Sequence, residues 1–185
     1  MGDYEREWRA FDNNEVSHST AHYLLAVASF EKNGQPPRAA DVARQLNVSR
    51  AAVSLQLRAL REHGLVEVSE NNRLSLTRLG ADLVARIASK REVLKVFLRE
   101  ILGVSDVTAE RDACKIEHLI SEETGAALVR FIQFLRSEDV VSNDFVTRFK
   151  EATAHCPPGA HCGLCNEVCL LRLANGEDPP GAISR

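Results

Sequence analysis

The chain has 185 residues, of which 44% are hydrophobic and 26% charged, and its formal net charge is −3. This composition is typical of a globular protein and argues against extensive disorder and against a generally basic nucleic-acid binder. There is no apolar run of about 18 residues and the segment Met1–Phe11 is charged, so we expect no membrane span or signal peptide, and a cytoplasmic protein with reduced thiols.

The charge is unevenly distributed along the chain. Between Gln35 and Leu65 there are five arginines and two acidic residues, a local charge of +3, whereas Val104–Glu151 has six basic and ten acidic residues, a local charge of −4. A basic module on an acidic body is typical of a protein that contacts phosphates at one place.

The first 76 residues predict a winged helix-turn-helix, because three helical periods are followed by two short stretches with strand periodicity. Serine and threonine residues stand where helices begin, and Gly64 stands where the third should end. In order, the predicted elements are a helix capped by Ser19 and Thr20 and ending at Asn33, a helix over Asp41–Leu46, a helix from its cap Ser49 to about His63, and strands at Leu65–Val68 and Arg73–Leu76.

A helical body is predicted after the wing. Thr77 caps a long helix from about Arg78 to Leu102. Further helices are expected at Val107–Ile120, at Glu122–Arg136 with Ser121 as its cap, and at Asp144–Ala154. The apolar stripe of the long helix is too long for one small domain to cover, so we expect a partner subunit to cover it and the protein to be a homodimer. Its members are Leu83, Ile87, Leu94, Leu98 and Ile101.

These elements predict a mostly α-helical fold with a two-stranded β-wing. We expect three domains: a DNA-binding domain over residues 1–76, a helical metal-binding and dimerisation domain over 77–154, and a cysteine-rich tail over 155–185 with a short helical stretch at Glu167–Ala174.

The third helix predicts the DNA-binding face, since the second helix of a helix-turn-helix places its N-terminal residues in the major groove. Arg50 suits a guanine edge, Ala51 and Leu55 suit thymine methyl groups, and Arg38 and Arg73 suit phosphates. The complete predicted set is Arg38, Ser49, Arg50, Ala51, Ser54, Leu55, Arg58 and Arg73.

A second motif predicts a metal site. Cys114, Glu117 and His118 stand at i, i+3 and i+4 of a predicted helix, so a thiolate, a carboxylate and an imidazole would project from one face. The alternative is a core thiol beside two solvated side chains.

Around this motif the sequence resembles the diphtheria-toxin-repressor and manganese-transport-regulator family of metal-dependent repressors. The resemblance covers about Ser19 to Arg136, in the order and spacing that the family shows. The segments that carry it are His22–Ala26, Asp41–Ser54, Gly64–Val66, Leu76–Gly80, Phe97–Gly103 and Asp112–Ser121.

The resemblance implies a regulatory metal site made of Cys114, Glu117, His118 and, from the first helix, His22, where the family usually has Met or Asp. The thiolate favours Fe(II) over Mn(II), although Co(II), Ni(II) or Zn(II) should also bind. The ion would tie the first helix to the helical body and so fix the separation of the two recognition helices. A manganese-responsive repressor is the alternative.

The resemblance also implies that a second metal is missing. The family often holds it with a His and a Glu of the long helix, and this chain has Arg91 and Lys95 there. Since cations cannot ligate an ion, we expect one metal, with Arg91 and Lys95 either paired with nearby carboxylates or solvated.

The tail departs from the resemblance. Its cysteines have the spacing C-x5-C-x2-C-x3-C, which is closer to iron–sulfur runs than to paired zinc knuckles. An iron–sulfur cluster is the first interpretation, structural zinc with His155 or His161 as a substitute ligand the second, and a redox disulfide switch the third. The four residues are Cys156, Cys162, Cys165 and Cys169.

Together these features predict a metal-dependent repressor, with Fe(II) the first choice of ion, that binds palindromic double-stranded operators of iron-uptake genes as a homodimer. An alternative is an iron–sulfur protein that serves an iron transporter, with the helix-turn-helix as a docking module. We expect no enzyme and no small organic substrate, because no nucleotide loop or nucleophile–base pair accompanies the cysteines.

Overall fold

The computed structural model describes residues 17–137, 140–152 and 170–175. They are mostly helical with one two-stranded antiparallel sheet, which confirms the predicted fold class. They divide into two compact units, one ending at Ser137 and one beginning after it. None of the described helices combines the length and apolarity that crossing a membrane requires. The four tail cysteines lie outside the described residues.

Three helices open the first unit: α1 (His18–Lys32), α2 (Ala39–Leu46) and α3 (Arg50–Glu62). Ser17 caps α1 by accepting a hydrogen bond from the Thr20 amide at 3.1 Å. The prediction that Ser19 and Thr20 cap this helix is therefore wrong, because both lie in its first turn.

The second helix begins two residues earlier than predicted, because Asp41 accepts a hydrogen bond from the Arg38 amide at 2.9 Å and so closes the first turn. Asn47, at a φ of 53°, ends α2 in the left-handed conformation. Ser49 then caps α3, as predicted, by accepting from the Ala52 amide at 3.1 Å.

The wing consists of β1 (Val66–Val68) and β2 (Leu74–Leu76), paired antiparallel with Val66 opposite Leu76. Each strand is one residue shorter than predicted. Leu65 donates its amide to Leu60 O at 2.9 Å and accepts from the Thr77 amide at 3.1 Å, so its backbone closes α3 and joins the start of the next helix instead of extending the ladder.

The long helix α4 (Arg78–Val96) continues into a π-helical turn, Phe97–Ile101, where a single α-helix to Leu102 was predicted. The Leu102 amide bonds to Phe97 O at 3.1 Å, and Gly103 ends the segment at a φ of +70°.

The apolar stripe of this helix is covered within the chain. Four of its five members are buried, and α1 and two later helices pack against α4. The prediction that a partner subunit covers this stripe is therefore wrong. The buried members are Leu83, Ile87, Leu94 and Ile101.

Two further helices complete the first unit: α5 (Asp106–Ile116) and α6 (Glu122–Leu135). The first of them ends four residues earlier than predicted, so Glu117 is its C-cap and His118 lies in the following turn. The chain must turn here because Ser121 caps α6, and Lys90 holds the turn by donating to Ile120 O at 3.0 Å.

The second unit contains α7 (Val140–Glu151) and α8 (Leu170–Ala174). The first begins four residues before the predicted Asp144 and ends at Glu151 rather than Ala154. The second was predicted as Glu167–Ala174, and residues 167–169 of this stretch lie outside the described residues.

The hydrophobic core joins α1, α2, α3, the wing and the first half of α4. Leu24, Val27, Val53 and Leu60 are at most 1% exposed and lie at its centre. This core fixes the position of α1, the helix that carries His22.

Candidate metal centre and DNA-binding face

The structure brings together two of the predicted metal ligands from helices that are far apart in sequence. His22 of α1 and Cys114 of α5 are 92 positions apart, and Nε2 of His22 lies 3.4 Å from Sγ of Cys114. His18 joins them, with its Nε2 atom 3.1 Å from Nε2 of His22. One ligand atom from each of these three residues lies within 4.8 Å of the others.

Glu117 lies beside this group and is completely buried. Neither of its carboxylate oxygens has a hydrogen-bond partner among the described residues, and Nε of Arg91 is 3.7 Å from Oε2. Burial raises the pKa of Glu117 to about 7, and the Arg91 charge opposes this shift. A buried carboxylate that accepts no hydrogen bond is costly, and Arg91 compensates only part of its charge, so a metal cation beside it would stabilise it further.

His118 lies next to His18 of this group. Its ring centroid is 5.0 Å from that of His18, and its Nδ1 atom is buried without a hydrogen-bond partner in the described part of the chain. Burial, and then the neighbouring His18 and His22, lower the pKa of His118. The imidazole is therefore kept neutral, the form that binds a metal ion.

These residues fit a transition-metal ion. The orphaned oxygens of Glu117 and the free Nδ1 of His118 are unused ligand atoms inside the protein, and burial lowers the pKa of His22. Burial also raises the pKa of the Cys114 thiol, so its thiolate form depends on a nearby cation.

Arg91 and Lys95 occupy the two positions at which we expected no second metal ion to bind. Arg91 pairs with Glu110, and Nζ of Lys95 lies 3.0 Å from Oε2 of Glu110 and 2.8 Å from Oε1 of Glu92. The hydrogen bond from Lys95, followed by that from Arg91, lowers the pKa of Glu110. Of the two alternatives stated for these cations, the structure shows pairing with nearby carboxylates.

His18 was missed in the sequence analysis. It is the first residue of α1 and stands four residues before His22, so the i, i+4 spacing of two histidines on one helix was the available signal. The wrong helix start concealed it, because a helix that begins after Ser19 does not contain His18.

The predicted DNA-binding face is formed by α3. Val53, Leu57 and Leu60 are buried, whereas the opposite face is exposed, including Leu55 at 74%. The exposed residues of the predicted set on or beside α3 are Ser49, Arg50, Ala51, Ser54, Leu55 and Arg58.

Local contacts organise this face. Ser54 donates a hydrogen bond to Arg50 O at 2.9 Å, and Arg58 pairs with Glu62 at 2.9 Å. Arg73, in the wing, donates to Pro36 O at 2.8 Å. Arg38 is exposed at the start of α2.

Comparison with known proteins identifies a DNA-binding domain and a metal-binding and dimerisation domain in this chain. The model of the iron-dependent repressor N-terminal DNA-binding domain matches residues 15–74, and that of the iron-dependent repressor metal-binding and dimerisation domain matches residues 77–144.

Among relatives, an uncharacterized HTH-type transcriptional regulator of Methanocaldococcus jannaschii is 32% identical over 64% of this chain and 95% of its own length. The iron-dependent repressor IdeR of Mycobacterium tuberculosis is 28% identical over 64% of this chain, which spans 52% of IdeR. Among solved structures, IdeR of T. acidophilum is similar in fold, with a TM-score of 0.53 and 22% identity over 64% of this chain and 55% of that one.

The winged helix-turn-helix places this chain among DNA-binding regulators. The two domain models and the relatives show that the chain belongs to the diphtheria-toxin-repressor and manganese-transport-regulator family of metal-dependent transcriptional repressors, as its sequence resemblance implied.

Proposed function

We propose that this chain represses transcription by binding palindromic operator DNA as a homodimer when it holds a divalent transition-metal ion. Fe(II) is the proposed ion, and the proposed ligands are His22, Cys114, Glu117 and His118. The observation that carries the proposal is the contact of His22 with Cys114 beside the buried carboxylate of Glu117, which accepts no hydrogen bond from the described residues. The genes for iron uptake or handling are the proposed targets.

The ligands come from two parts of the fold. His22 belongs to α1, which packs on α2 and α3 through the core, whereas the other three follow from α5 and the turn after it. Metal bound there would supply a cross-link between the DNA-binding helices and the helical body. In each protomer the position of α3 would then be fixed relative to the body, and a fixed separation of two α3 helices is what two half-sites on one DNA face require.

The donor set favours Fe(II) over Mn(II). A thiolate and two imidazoles are softer ligands than the carboxylates and carbonyls that suit Mn(II), and Glu117 is the single carboxylate of the proposed set. A manganese-responsive repressor is the second candidate. Titrating operator binding with Fe(II) and with Mn(II) separates the two candidates.

One metal ion is proposed at this site. The carboxylate of Glu110 is already paired with both Arg91 and Lys95, so it is not available to a second metal ion.

The dimer is proposed to form through apolar side chains that α5, α6 and the turn between them leave exposed. Val107 is 77% exposed, Phe134 61%, Leu119 42% and Phe131 40%. Exposed apolar area of this kind is typical of an interface. Sedimentation of the purified chain tests the dimer directly.

The test of DNA binding uses duplexes selected from a random pool with the Fe(II)-loaded protein, followed by gel retardation without air. The wild type should retard the selected duplex with Fe(II), and Cys114→Ser and His22→Ala should not. Asp112→Asn is the matched control, because this carboxylate of α5 lies 3.4 Å from Lys115, an exposed residue outside the proposed ligand set.

Retardation that is equal with and without metal would contradict the proposal. If no duplex is selected at all, the alternative of a docking module for an iron transporter is favoured.

For the tail we propose an iron–sulfur cluster on Cys156, Cys162, Cys165 and Cys169, and this rests on their spacing alone. Protein purified without air should show a broad absorption at about 400 nm that the Cys162→Ser, Cys165→Ser double variant lacks. A colourless protein that contains one zinc per tail would instead support structural zinc.

A further inference from the structure

The first turn of α1 carries a second histidine beside the proposed metal centre. Ser17 caps the helix, so His18 occupies its first position and His22 follows one turn later on the same face. The two rings meet edge to face with their centroids 4.4 Å apart. His18 is exposed, so the core does not account for its position.

Two of the separations between ligand atoms in this group are close to those required by one ion. Bonds of about 2.05 Å to nitrogen and about 2.3 Å to sulfur in a tetrahedral arrangement place two nitrogens roughly 3.3 Å apart, and a nitrogen and a sulfur roughly 3.6 Å apart. The observed separations are 3.1 Å between the two Nε2 atoms and 3.4 Å between His22 Nε2 and Cys114 Sγ.

His18 also contacts the other side of the centre. Its ring is 5.0 Å from that of His118, measured between centroids, so it neighbours both His22 and His118. Two imidazoles and one thiolate thus form a compact group of ligand atoms, and the ring of His118 lies next to that of His18.

We propose that His18 is a further metal ligand, so that α1 contributes two histidines to the centre. This inference rests on the proposed function. The added imidazole biases the site toward borderline ions such as Fe(II), Co(II) or Zn(II) and away from Mn(II), which prefers oxygen ligands. It adds a donor without adding charge, and Arg91 already compensates part of the charge of Glu117.

The test measures Co(II) binding by absorption in the full-length chain with the four tail cysteines replaced by serine, so that the sulfur-to-cobalt charge-transfer band reports Cys114. We expect His18→Ala to weaken Co(II) binding by about tenfold or more and to change the visible ligand-field bands. His63→Ala removes an exposed histidine at the end of α3 and should bind like the parent.

A second variant distinguishes a ligand from a residue that only orients His22 through its hydrogen bond. His18→Asp restores a ligand, but with oxygen, so it should recover metal binding and raise the Mn(II)-to-Co(II) affinity ratio by about tenfold or more relative to the parent. An orienting role predicts no change in this ratio.

Unchanged affinity and spectrum in His18→Ala, while His22→Ala and Cys114→Ser lose binding, would overturn the role of His18 and leave the proposed function intact. Parent-like binding in all three variants would overturn both.

Discussion

Gly80, in the first turn of α4, packs closely against the backbone of Leu65. A Cβ atom at this position would lie 2.1 Å from the Leu65 carbonyl oxygen, which accepts the Thr77 amide. Since backbone must move, we expect Gly80→Ala to lower the free energy of unfolding by about 2 kcal/mol, despite the better helix propensity of alanine. Urea unfolding of the purified variant measures this.

Gly125 provides the control for this prediction. It also lies in a helix, but a Cβ atom there would meet only Lys90 Cγ, at an ordinary 3.8 Å. Gly125→Ala should therefore raise the free energy of unfolding by about 0.5–1 kcal/mol. Equal destabilisation by the two changes would show that the Leu65 contact is not the cause.

At the residue scale, sequence reasoning found the kinds of ligand but not their environments. The i, i+3, i+4 spacing of Cys114, Glu117 and His118 predicts a common face. In the structure Cys114 and His118 lie next to histidines of α1, and Glu117 lies next to Arg91 of α4. The spacing does not predict the complete burial of Glu117 or the 3.7 Å distance between its Oε2 atom and Nε of Arg91, because these depend on how α4 packs against α5. The ligand assignment stays a prediction.

Among the helices, α4 and α5 are joined by the ion pairs of Arg91 and Lys95 with Glu110. These pairs lower the pKa of Glu110 below its usual 4.5. A carboxylate of this kind stabilises the fold above its unfolded pKa, and the contribution is lost as the pH falls through the lower folded value. The pairs are half exposed, so Glu110→Gln should cost less than about 1 kcal/mol at pH 7.

The difference between wild type and Glu110→Gln should shrink as the pH falls below about 4.5, measured by urea unfolding in low salt. Asp112→Asn is the control, since this carboxylate is on the same helix and pairs only with exposed partners, Arg111 and Lys115. A Glu110→Gln deficit that stays constant with pH would mean that lost packing, not charge, causes it.

The recognition helix α3 gives a second prediction at this scale. Leu55 is 74% exposed and Arg50 is exposed beside it, so neither contributes to the core. Leu55→Ala and Arg50→Ala should each weaken operator binding by about 1–3 kcal/mol without changing the free energy of unfolding.

Arg86→Ala, at an exposed position of α4, removes the same charge as Arg50→Ala and should leave operator affinity unchanged. If it weakened binding as much as Arg50→Ala, the effect would be one of overall charge, measured by the salt dependence of binding.

The order and type of these elements were predictable from periodicity and capping residues, whereas several helix ends were not. The caps Ser49, Thr77 and Ser121 were predicted correctly because each precedes a clear apolar period. The end of α5 and the π-helical turn after α4 depend on contacts between helices, such as that of Lys90 with Ile120 O, which a local pattern does not contain. The predicted division into three domains remains untested.

For the whole molecule, the important feature is that the candidate ligands come from both family-matched parts, His22 from residues 15–74 and Cys114 from residues 77–144. An ion that binds the folded chain alone stabilises it by about 2.7 kcal/mol at a concentration of 100 times its Kd. We therefore expect Co(II) to raise the melting temperature of the full-length chain with serine in place of the tail cysteines, and urea unfolding to show a gain of this size.

Cys114→Ser in the same background should lose most of this gain, because one helix then lacks its sulfur ligand, while Asp112→Asn should keep it. Hydrogen exchange locates the effect: since His22 and Cys114 lie on α1 and α5, the added protection should appear in both helices together. Protection confined to α5 would mean that the ion does not join the two parts, and the proposed coupling of metal binding to the position of α3 would be wrong.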